Sequence, residues 1–249
     1  MQKKRGRRAL KVIVWGLVAV LVLGIGGIVV WSQVGVMPAE KAPLASVRDN
    51  SAITVEDAEQ GIVLTPADGE SEVGLVFVPG AKVDPWAYAP ILQSLAEEGV
   101  TVVITRPWLN LAFFDLRGLD AFTSAAPDID EWAVGGHSLG GVRACQLAAD
   151  ADALVLFGSY CSTDLSGSDL PVLSISGSED GLSTPEKIDA ALDQLPADAE
   201  MIEIAGASHA SFGDYGPQAG DGEPTLSSDE MHAEVSEVLV PFFTDLAQD

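Results

Sequence analysis

The longest uncharged apolar run of the chain lies close to its N-terminus. Residues 12–31 contain no charged side chain, and these twenty residues would form a helix about 30 Å long, the hydrocarbon thickness of a bilayer. Six basic residues precede the run: Lys3, Lys4, Arg5, Arg7, Arg8 and Lys11. The pattern predicts a basic cytoplasmic segment at 1–11 and a single transmembrane helix at 12–31, with the rest of the chain on the far side of the membrane.

A cleaved signal peptide is the alternative interpretation of this segment. Signal peptides have an apolar core of about 7–15 residues and small residues just before the cleavage site. The run here is longer, and the best candidate site, after Ala39, has the large Met37 two residues before it. We therefore expect a retained anchor, and we interpret the polar residues 32–52 as a linker to the folded domain.

From residue 53 onward, short apolar and β-branched runs alternate with patterns of helical period. The predicted strands lie at 53–55, 62–64, 73–78, 100–105, 132–135, 154–157, 172–175 and 201–204. The predicted helices lie at 84–95, within 113–124, at 139–149, at 185–195 and from Ser227 onward, where Pro241 should kink or end the helix. Apolar strands separated by helices indicate a mostly parallel sheet covered on both faces. The predicted fold class is a three-layer α/β domain over residues 53–249.

The charge balance of this domain excludes one class of partner. After the apolar run the chain carries seven basic and 37 acidic residues, a formal charge of −30. Such a surface repels phosphate backbones, which excludes nucleic-acid binding. The two cysteines, Cys145 and Cys161, are too few for a disulfide scaffold or a four-thiolate zinc site, but they could form one bridge in an exported domain.

The motif that carries chemistry is Gly136-His137-Ser138-Leu139-Gly140, a G-x-S-x-G pattern between a predicted strand and a predicted helix. In that context the turn is so tight that its flanking positions need glycine, and it exposes the serine hydroxyl at the carboxyl edge of the sheet. The N–H of Leu139 lies at the helix N-terminus, where it can stabilise an oxyanion. The pattern indicates a nucleophilic serine rather than an ordinary glycine-rich turn.

A nucleophilic serine needs a base, and the chain has three histidines. His137 leaves the sharp turn in a different direction from the serine, and His232 falls inside the last predicted helix, so both are expected to be structural. His209 follows the strand at 201–204, at the edge of the sheet where ligands bind in such folds. The predicted base is therefore His209.

The acid that orients this base must lie at the same edge of the sheet. The strand at 172–175 runs into the loop Gly177-Ser178-Glu179-Asp180-Gly181, which lies between the serine and the histidine in the sequence. Asp180 is the preferred acid, and Glu179 is the alternative.

The chain order Ser138, Asp180, His209 is that of α/β-hydrolases. From about residue 53 to the end, the sequence resembles a small α/β-hydrolase domain, closest in pattern to dienelactone-hydrolase-like and carboxylesterase-like members. The resemblance implies that Ala81 N–H completes an oxyanion hole with Leu139 N–H, although Pro79 stands where many members have histidine in this loop. Dienelactone hydrolases use a cysteine nucleophile, so their specific activity is not implied.

The activity implied by the resemblance is transfer of an acyl group to water. Ser138 would attack an ester, thioester or related acyl bond of a small-molecule substrate and form an acyl-enzyme, without a metal or an organic cofactor. Peptidase and perhaloperoxidase-like chemistry would use the same fold. The competing function is a non-catalytic hydrolase-like domain that binds a partner or ligand at the cell surface. The sequence indicates no oligomeric state.

The predicted substrate cleft is open, because only residues 158–170 separate two strands between which many α/β-hydrolases insert a helical lid. Trp108, Asn110, Phe113 and Phe114 could line the cleft, although at least two of them are expected to pack against the sheet.

Three charged features lie near this edge. Lys82 and Arg106 are rare cations there, and each either pairs with a nearby acid or receives an anionic group of the substrate. The loop 213–224 is interpreted as a mobile flap, with a calcium site formed by its acids Asp214, Asp221 and Glu223 as the alternative.

Overall fold

The computed structural model describes residues 2–69 and 72–248, with side chains from Lys11 onward, so the basic side chains at positions 3–8 lie outside the described part. The chain forms two compact units that divide between Val36 and Met37. The first consists mainly of helix α1, Gln2–Gln33. Its segment Lys11–Gln33 contains an 18-residue stretch with a mean hydropathy of 2.7 and is long and apolar enough to cross a membrane. A signal sequence has the same properties, so the choice between anchor and signal stays a prediction.

The second unit is an α/β domain with eight strands and six further α-helices in its described residues. The strands are β1 Ile53–Asp57, β2 Gly61–Pro66, β3 Val73–Val78, β4 Thr101–Thr105, β5 Glu131–His137, β6 Ala153–Phe157, β7 Val172–Gly177 and β8 Glu200–Ile204. The helices are α2 Lys41–Asp49, α3 Ala89–Glu97, α4 Asp120–Thr123, α5 Leu139–Leu147, α6 Pro185–Asp189 and α7 Ser228–Leu246.

All eight strands belong to one sheet, in the order β1-β2-β4-β3-β5-β6-β7-β8. The pairs β1–β2 and β2–β4 are antiparallel, and every other neighbouring pair is parallel. This confirms the predicted mostly parallel sheet. The carboxyl ends of β3 to β8 therefore meet at one edge, which is where ligands bind in open α/β sheets.

The sheet is covered on both faces, as its apolar strands predicted. Leu75 and Phe77 of β3 point to one face and pack into the cluster that contains α3 and α7. Val76 points to the other face and packs with residues of α4 and α5, such as Phe122 and Ala144. The alternation of neighbouring β3 residues between two cores is the period of a buried strand, and it establishes the three-layer arrangement.

The segment predicted to be a linker differs from that expectation. Residues 41–49 form α2, and its Val47 is fully buried in the core next to α3. Met37 pairs with Val83 in a short parallel bridge. The second unit therefore begins at Met37 and not at residue 53. The apolar stripe of α2 is so short, essentially Leu44 and Val47, that it gives little helical period in the sequence.

The last helix also differs from the prediction, because Pro241 lies inside α7 and does not end it. Buried residues continue on both sides of the proline, with Leu239 before it and Phe243 after it. Packing of this stripe on the sheet keeps the chain helical across the missing N–H of proline.

The single possible disulfide is formed. Cys145 in α5 is bonded to Cys161, which follows β6, with the two Cα atoms 5.6 Å apart. The bridge ties the helix after the G-x-S-x-G motif to the end of the neighbouring strand.

Candidate active site

The turn between β5 and α5 is built around Ser138. This residue has φ 53° and ψ −122°, a positive φ that a residue other than glycine rarely adopts. The flanking glycines are needed because of close backbone approach. A Cβ at Gly140 would overlap the carbonyl oxygen of Val78, and one at Gly136 would overlap the backbone of Gly140. The G-x-S-x-G spacing therefore has a steric cause in this structure.

The strained turn is held in place from the neighbouring strand. The N–H of Ser138 donates to the carbonyl of Phe157, 3.0 Å away, at the end of β6. The hydroxyl of Ser159 donates to the Ser138 carbonyl at 2.7 Å. These bonds fix the backbone of Ser138, whose side chain remains partly accessible. Ser159 was not recognised from the sequence.

The predicted base and the preferred acid are in direct contact. His209 Nδ1 and Asp180 Oδ2 are 2.7 Å apart, and both side chains are buried. The other carboxylate oxygen of Asp180 accepts the N–H groups of Leu182 at 2.8 Å and Ser183 at 2.6 Å. The two backbone N–H groups donate to Asp180, so its carboxylate is an acceptor, and we assign the imidazole proton to Nδ1 as the third donor. Nε2 of His209 is then left as the basic nitrogen.

The other candidates for these positions lie elsewhere. Glu179 is exposed and accepts a hydrogen bond from Ser178 Oγ, so of the two acids the structure pairs Asp180 with His209. His232 lies on α7, where its Nε2 is 2.9 Å from Asp214 Oδ2.

His137 is buried, and its side chain lies between the Ser138 turn and the loop that carries His209. Its Nδ1 is 2.9 Å from the hydroxyl of Tyr88, which also accepts the N–H of Gly80 at 2.9 Å. Since the Tyr88 oxygen already accepts from Gly80, we assign the Tyr88 O–H as the donor to His137 Nδ1. The His137 ring lies against the ring of His209, with centroids 4.4 Å apart. Complete burial, and next the neighbouring His209, hold the pKa of His137 well below its usual value, so this ring is neutral.

This buried neutral ring predicts a pH dependence of stability. The unfolded chain protonates His137 with a pKa near 6.5 and the folded protein does not, so the free energy of unfolding should fall as the pH drops below about 6.5, by up to about 1.4 kcal/mol per pH unit. His137→Asn keeps an acceptor for Tyr88 and cannot titrate. Urea unfolding at several pH values should show a smaller loss of stability on acidification for the variant. Equal pH dependence in the two proteins would contradict a neutral buried His137.

The two N–H groups predicted to form the oxyanion hole belong to segments that pack closely against each other. Ala81 follows β3, and Leu139 is the first residue of α5, whose Gly140 packs against the carbonyls of Val78 and Pro79. Within residues 2–69 and 72–248, neither the Ala81 nor the Leu139 N–H donates a hydrogen bond to the backbone or to a side chain. The loop that contains Pro79 is held at the next residue, where the N–H of Gly80 donates to the Tyr88 hydroxyl.

The residues predicted as possible substrate contacts lie in different environments. Arg106 forms an ion pair with Asp57, 2.7 Å away, and donates to the Ala58 carbonyl at 3.3 Å. Its charge is therefore paired locally, in agreement with the ion-pair interpretation of Arg106. A contact between Arg106 and a substrate anion stays a prediction. Lys82 has a φ of 56°, and its N–H donates to the carbonyl of Asn110. Trp108 is exposed at the same edge.

The aromatic residues after β4 do not pack as expected. Phe113 and Phe114 are exposed, like Trp108, and Asn110 is partly exposed. The expectation that at least two of these residues pack against the sheet is therefore wrong. Short 3₁₀ turns at Trp108–Asn110 and Ala112–Phe114 direct the aromatic side chains outward.

Asp221 is the residue of the 213–224 loop that matters most for this geometry. Its carboxylate accepts the N–H groups of His209 at 3.0 Å, Ala210 at 2.8 Å and Gly181 at 3.0 Å, and that of its neighbour Gly222. Partial burial raises the pKa of Asp221. The four N–H groups lower the pKa by more than burial raises it, so the pKa lies below its usual value. One carboxylate thus joins the loop after Asp180 to the loop that carries His209.

Two of the three acids of this loop are bound by protein groups, and Glu223 is exposed. Asp214 is paired with His232, and Asp221 binds backbone N–H groups. In the described part of the chain, no group of three histidine, cysteine, aspartate or glutamate side chains is placed to hold a metal ion.

The sequence model of the alpha/beta hydrolase family matches residues 74–233. The match runs from β3 to α7 and includes the Ser138 turn, the loop that carries Asp180 and the loop that carries His209. The chain belongs to the alpha/beta hydrolase family. A comparison with curated proteins finds no match for this chain.

Proposed function

We propose that the protein is a serine hydrolase that cleaves an ester, thioester or related acyl bond of a small molecule. The observation that carries this proposal is the buried hydrogen bond between His209 and Asp180, at the same sheet edge as the strained Ser138 turn. A charge-oriented imidazole beside a serine on such a turn is the arrangement that activates a hydroxyl for nucleophilic attack.

The proposed reaction proceeds through an acyl-enzyme. Ser138 Oγ attacks the substrate carbonyl carbon while His209 Nε2 takes the hydroxyl proton, and Asp180 stabilises the imidazolium. The N–H groups of Ala81 and Leu139 bind the resulting oxyanion. His209 then gives its proton to the leaving group as the bond to it breaks. Water attacks the acyl-enzyme by the same sequence of proton transfers and releases the acid.

A substrate panel tests this proposal. The chain in detergent should hydrolyse activated esters or thioesters, with a burst of leaving group equal to the amount of enzyme when deacylation is the slower step. Comparison of esters, thioesters and anilides of one acyl group separates esterase, thioesterase and amidase preference. Absence of turnover across the panel, with the fold intact, would favour the non-catalytic binding domain.

Asp180→Asn should lower kcat by about 10⁴-fold. The oxygen of Asp180 that does not face His209 accepts the N–H groups of Leu182 and Ser183, so asparagine would turn its own oxygen toward them and its NH₂ toward His209. That arrangement forces the proton onto Nε2, which can then no longer take the serine proton. Glu179→Gln removes the same charge one residue earlier and should leave kcat unchanged. The reverse order of effects would exchange the two roles.

Asp221→Asn should also lower kcat, through misplacement of His209 and Asp180. Asparagine places an NH₂ donor against N–H groups that now face a carboxylate, and a displacement of reacting groups by about 1 Å reduces rates on the order of 100-fold. KM should change little, because Asp221 is a positioning residue that does not touch substrate. Glu223→Gln, an exposed neutralisation in the same loop, is the control. Equal kinetics of the two variants would show that the Asp221 contacts are not needed.

We propose further that the protein is a single-pass membrane protein with its hydrolase domain outside the cytoplasm. The apolar span of α1, the basic residues before it and the Cys145–Cys161 disulfide support this topology, since disulfides persist in oxidising compartments. Protease added to intact cells should digest the domain, and protection of the domain would contradict the topology.

A further inference from the structure

The segment after β4 exposes four large apolar side chains close together in the sequence. Trp108 is 53% exposed, Phe113 57%, Phe114 45% and Leu116 78%. We refer to these four residues as the apolar rim. Elsewhere among the described residues of the second unit, the exposed large apolar side chains are less exposed and lie apart from one another: Tyr160, Leu192 and Met201. Clustered exposure of this kind marks an interaction surface.

The exposure is imposed by an ordered backbone. Leu109 and Asn110 both have left-handed φ angles, 59° and 54°, and successive turns are closed by backbone hydrogen bonds from Asn110, Leu111 and Phe114. Arg117 fixes the end of the segment, since it donates to Asp115 and to the Arg106 carbonyl. Burying a side chain of this size stabilises a fold, and this fold forgoes that contribution at each of these positions.

The apolar rim carries no net charge in a domain that is otherwise strongly acidic. Between Arg106 and Arg117 the only acid is Asp115. Asp115 is buried and forms an ion pair with Arg117 at 2.6 Å. The formal charge of −30 carried by the second unit and its N-terminal connection is therefore placed outside this patch, which leaves the patch free of the charge repulsion expected of the remaining surface.

The apolar rim lies at the edge of the sheet that carries Ser138. It follows the carboxyl end of β4, which is parallel to β3, and β3 is parallel to β5. Two hydrogen bonds connect it to the candidate site: Lys82 N–H donates to the Asn110 carbonyl at 2.8 Å, and Arg143 of α5 donates to the Arg117 carbonyl at 2.8 Å. The segment that carries the apolar rim is therefore hydrogen-bonded to the proposed oxyanion loop and to α5.

The chain also enters the second unit at this loop. Met37 N–H donates to the Lys82 carbonyl at 2.7 Å, and Asp84 N–H donates to the Met37 carbonyl at 2.9 Å. Helix α1 ends at Gln33, so only residues 34–36 separate it from Met37 in the sequence. The chain that leaves α1 is therefore hydrogen-bonded, within a few residues, to the loop whose Lys82 N–H binds the Asn110 carbonyl.

We propose that the apolar rim is a bilayer contact, at which Trp108, Phe113, Phe114 and Leu116 enter the interface of the membrane that holds α1. Aromatic and aliphatic side chains without net charge are suited to that interface. The contact orients the Ser138 edge of the sheet toward lipid. Delivery of acyl substrates dissolved in the bilayer is a consequence that rests on the proposed function, whereas the contact itself does not.

The test uses the full chain reconstituted in phosphatidylcholine vesicles. Phe113→Cys and, separately, Leu116→Cys are labelled with an environment-sensitive fluorophore, while the native cysteines stay bonded to each other. Leu192→Cys is the matched control, since Leu192 is apolar, 39% exposed and situated between α6 and β8. With brominated phosphatidylcholine as quencher, the emission at 113 and 116 should fall by about half, as expected for a depth of 5–10 Å in the interface.

Quenching at 113 and 116 without quenching at 192 supports the contact. If neither reporter on the apolar rim is quenched while the protein still floats with the vesicles, the proposal is wrong, and docking of another protein on this surface becomes the alternative. Equal quenching at all three positions also overturns it, because that result describes adsorption without a preferred face. None of these outcomes depends on hydrolase activity.

Discussion

Ser138→Ala is expected to abolish hydrolysis, with a loss in kcat on the order of 10⁶-fold. The reason is that the hydroxyl oxygen is the atom proposed to form the acyl-enzyme. The variant should fold as the wild type does, because the turn is held through the backbone of residue 138, which alanine retains. Its N–H donates to the Phe157 carbonyl, and its carbonyl accepts from the Ser159 hydroxyl.

The control for this experiment is Ser166→Ala, which removes an exposed hydroxyl bonded only to its neighbour Asp164. That variant should keep full activity. Thermal unfolding of both variants separates loss of chemistry from loss of fold. Substantial hydrolysis by folded Ser138→Ala would mean that the nucleophile is a different group.

His209→Ala is expected to have an effect of nearly the same size, since the nucleophile and its base act as a unit and loss of either removes most of the catalysis. The buried imidazole is the partner of Asp180 at 2.7 Å. Without it, the serine hydroxyl has no base, and the Asp180 carboxylate loses one of its three donors.

His232→Ala is the matched control for the base. His232 is also bonded to an aspartate, Asp214, at 2.9 Å, so the two histidines differ mainly in their position relative to Ser138. We expect His232→Ala to change stability more than kcat. If both alanine variants lost activity equally, the assignment of the base to His209 would be incorrect.

The fold and the central site geometry were largely predictable because they depend on local signals. Apolar strands alternating with helical patterns predicted the parallel sheet. The glycines on either side of Ser138 predicted a turn whose flanking positions have no room for a Cβ. His209 and Asp180 could be selected from many candidates because both follow strands at the carboxyl edge, and their hydrogen bond agrees with that argument.

The features that were not predicted depend on contacts between distant segments. The Tyr88 hydroxyl joins Gly80 to His137, residues that are far apart in the sequence. Asp221 is one acid among 37, and nothing in its sequence surroundings indicates that it accepts N–H groups from two loops. In the same way, α2 is held by burial of Val47, a tertiary contact that outweighs a weak local pattern.

The outward position of the aromatic residues after β4 could not be derived either. Apolar residues near a sheet normally pack against it, so the sequence predicts that at least two of Trp108, Asn110, Phe113 and Phe114 do so. Two successive residues, Leu109 and Asn110, have left-handed φ angles there. Neither residue is glycine, which would have signalled such a conformation in the sequence.

The central claim is that Ser138 is an activated nucleophile, and covalent labelling tests it most directly. The purified chain is treated with a fluorophosphonate, digested and examined by mass spectrometry, with Ser138→Ala and His209→Ala treated in parallel. The account predicts a single stoichiometric adduct on the peptide that contains Ser138, no adduct in Ser138→Ala and greatly slowed labelling in His209→Ala. An adduct on another residue, or hydrolysis by a protein whose Ser138 stays unmodified, would contradict it.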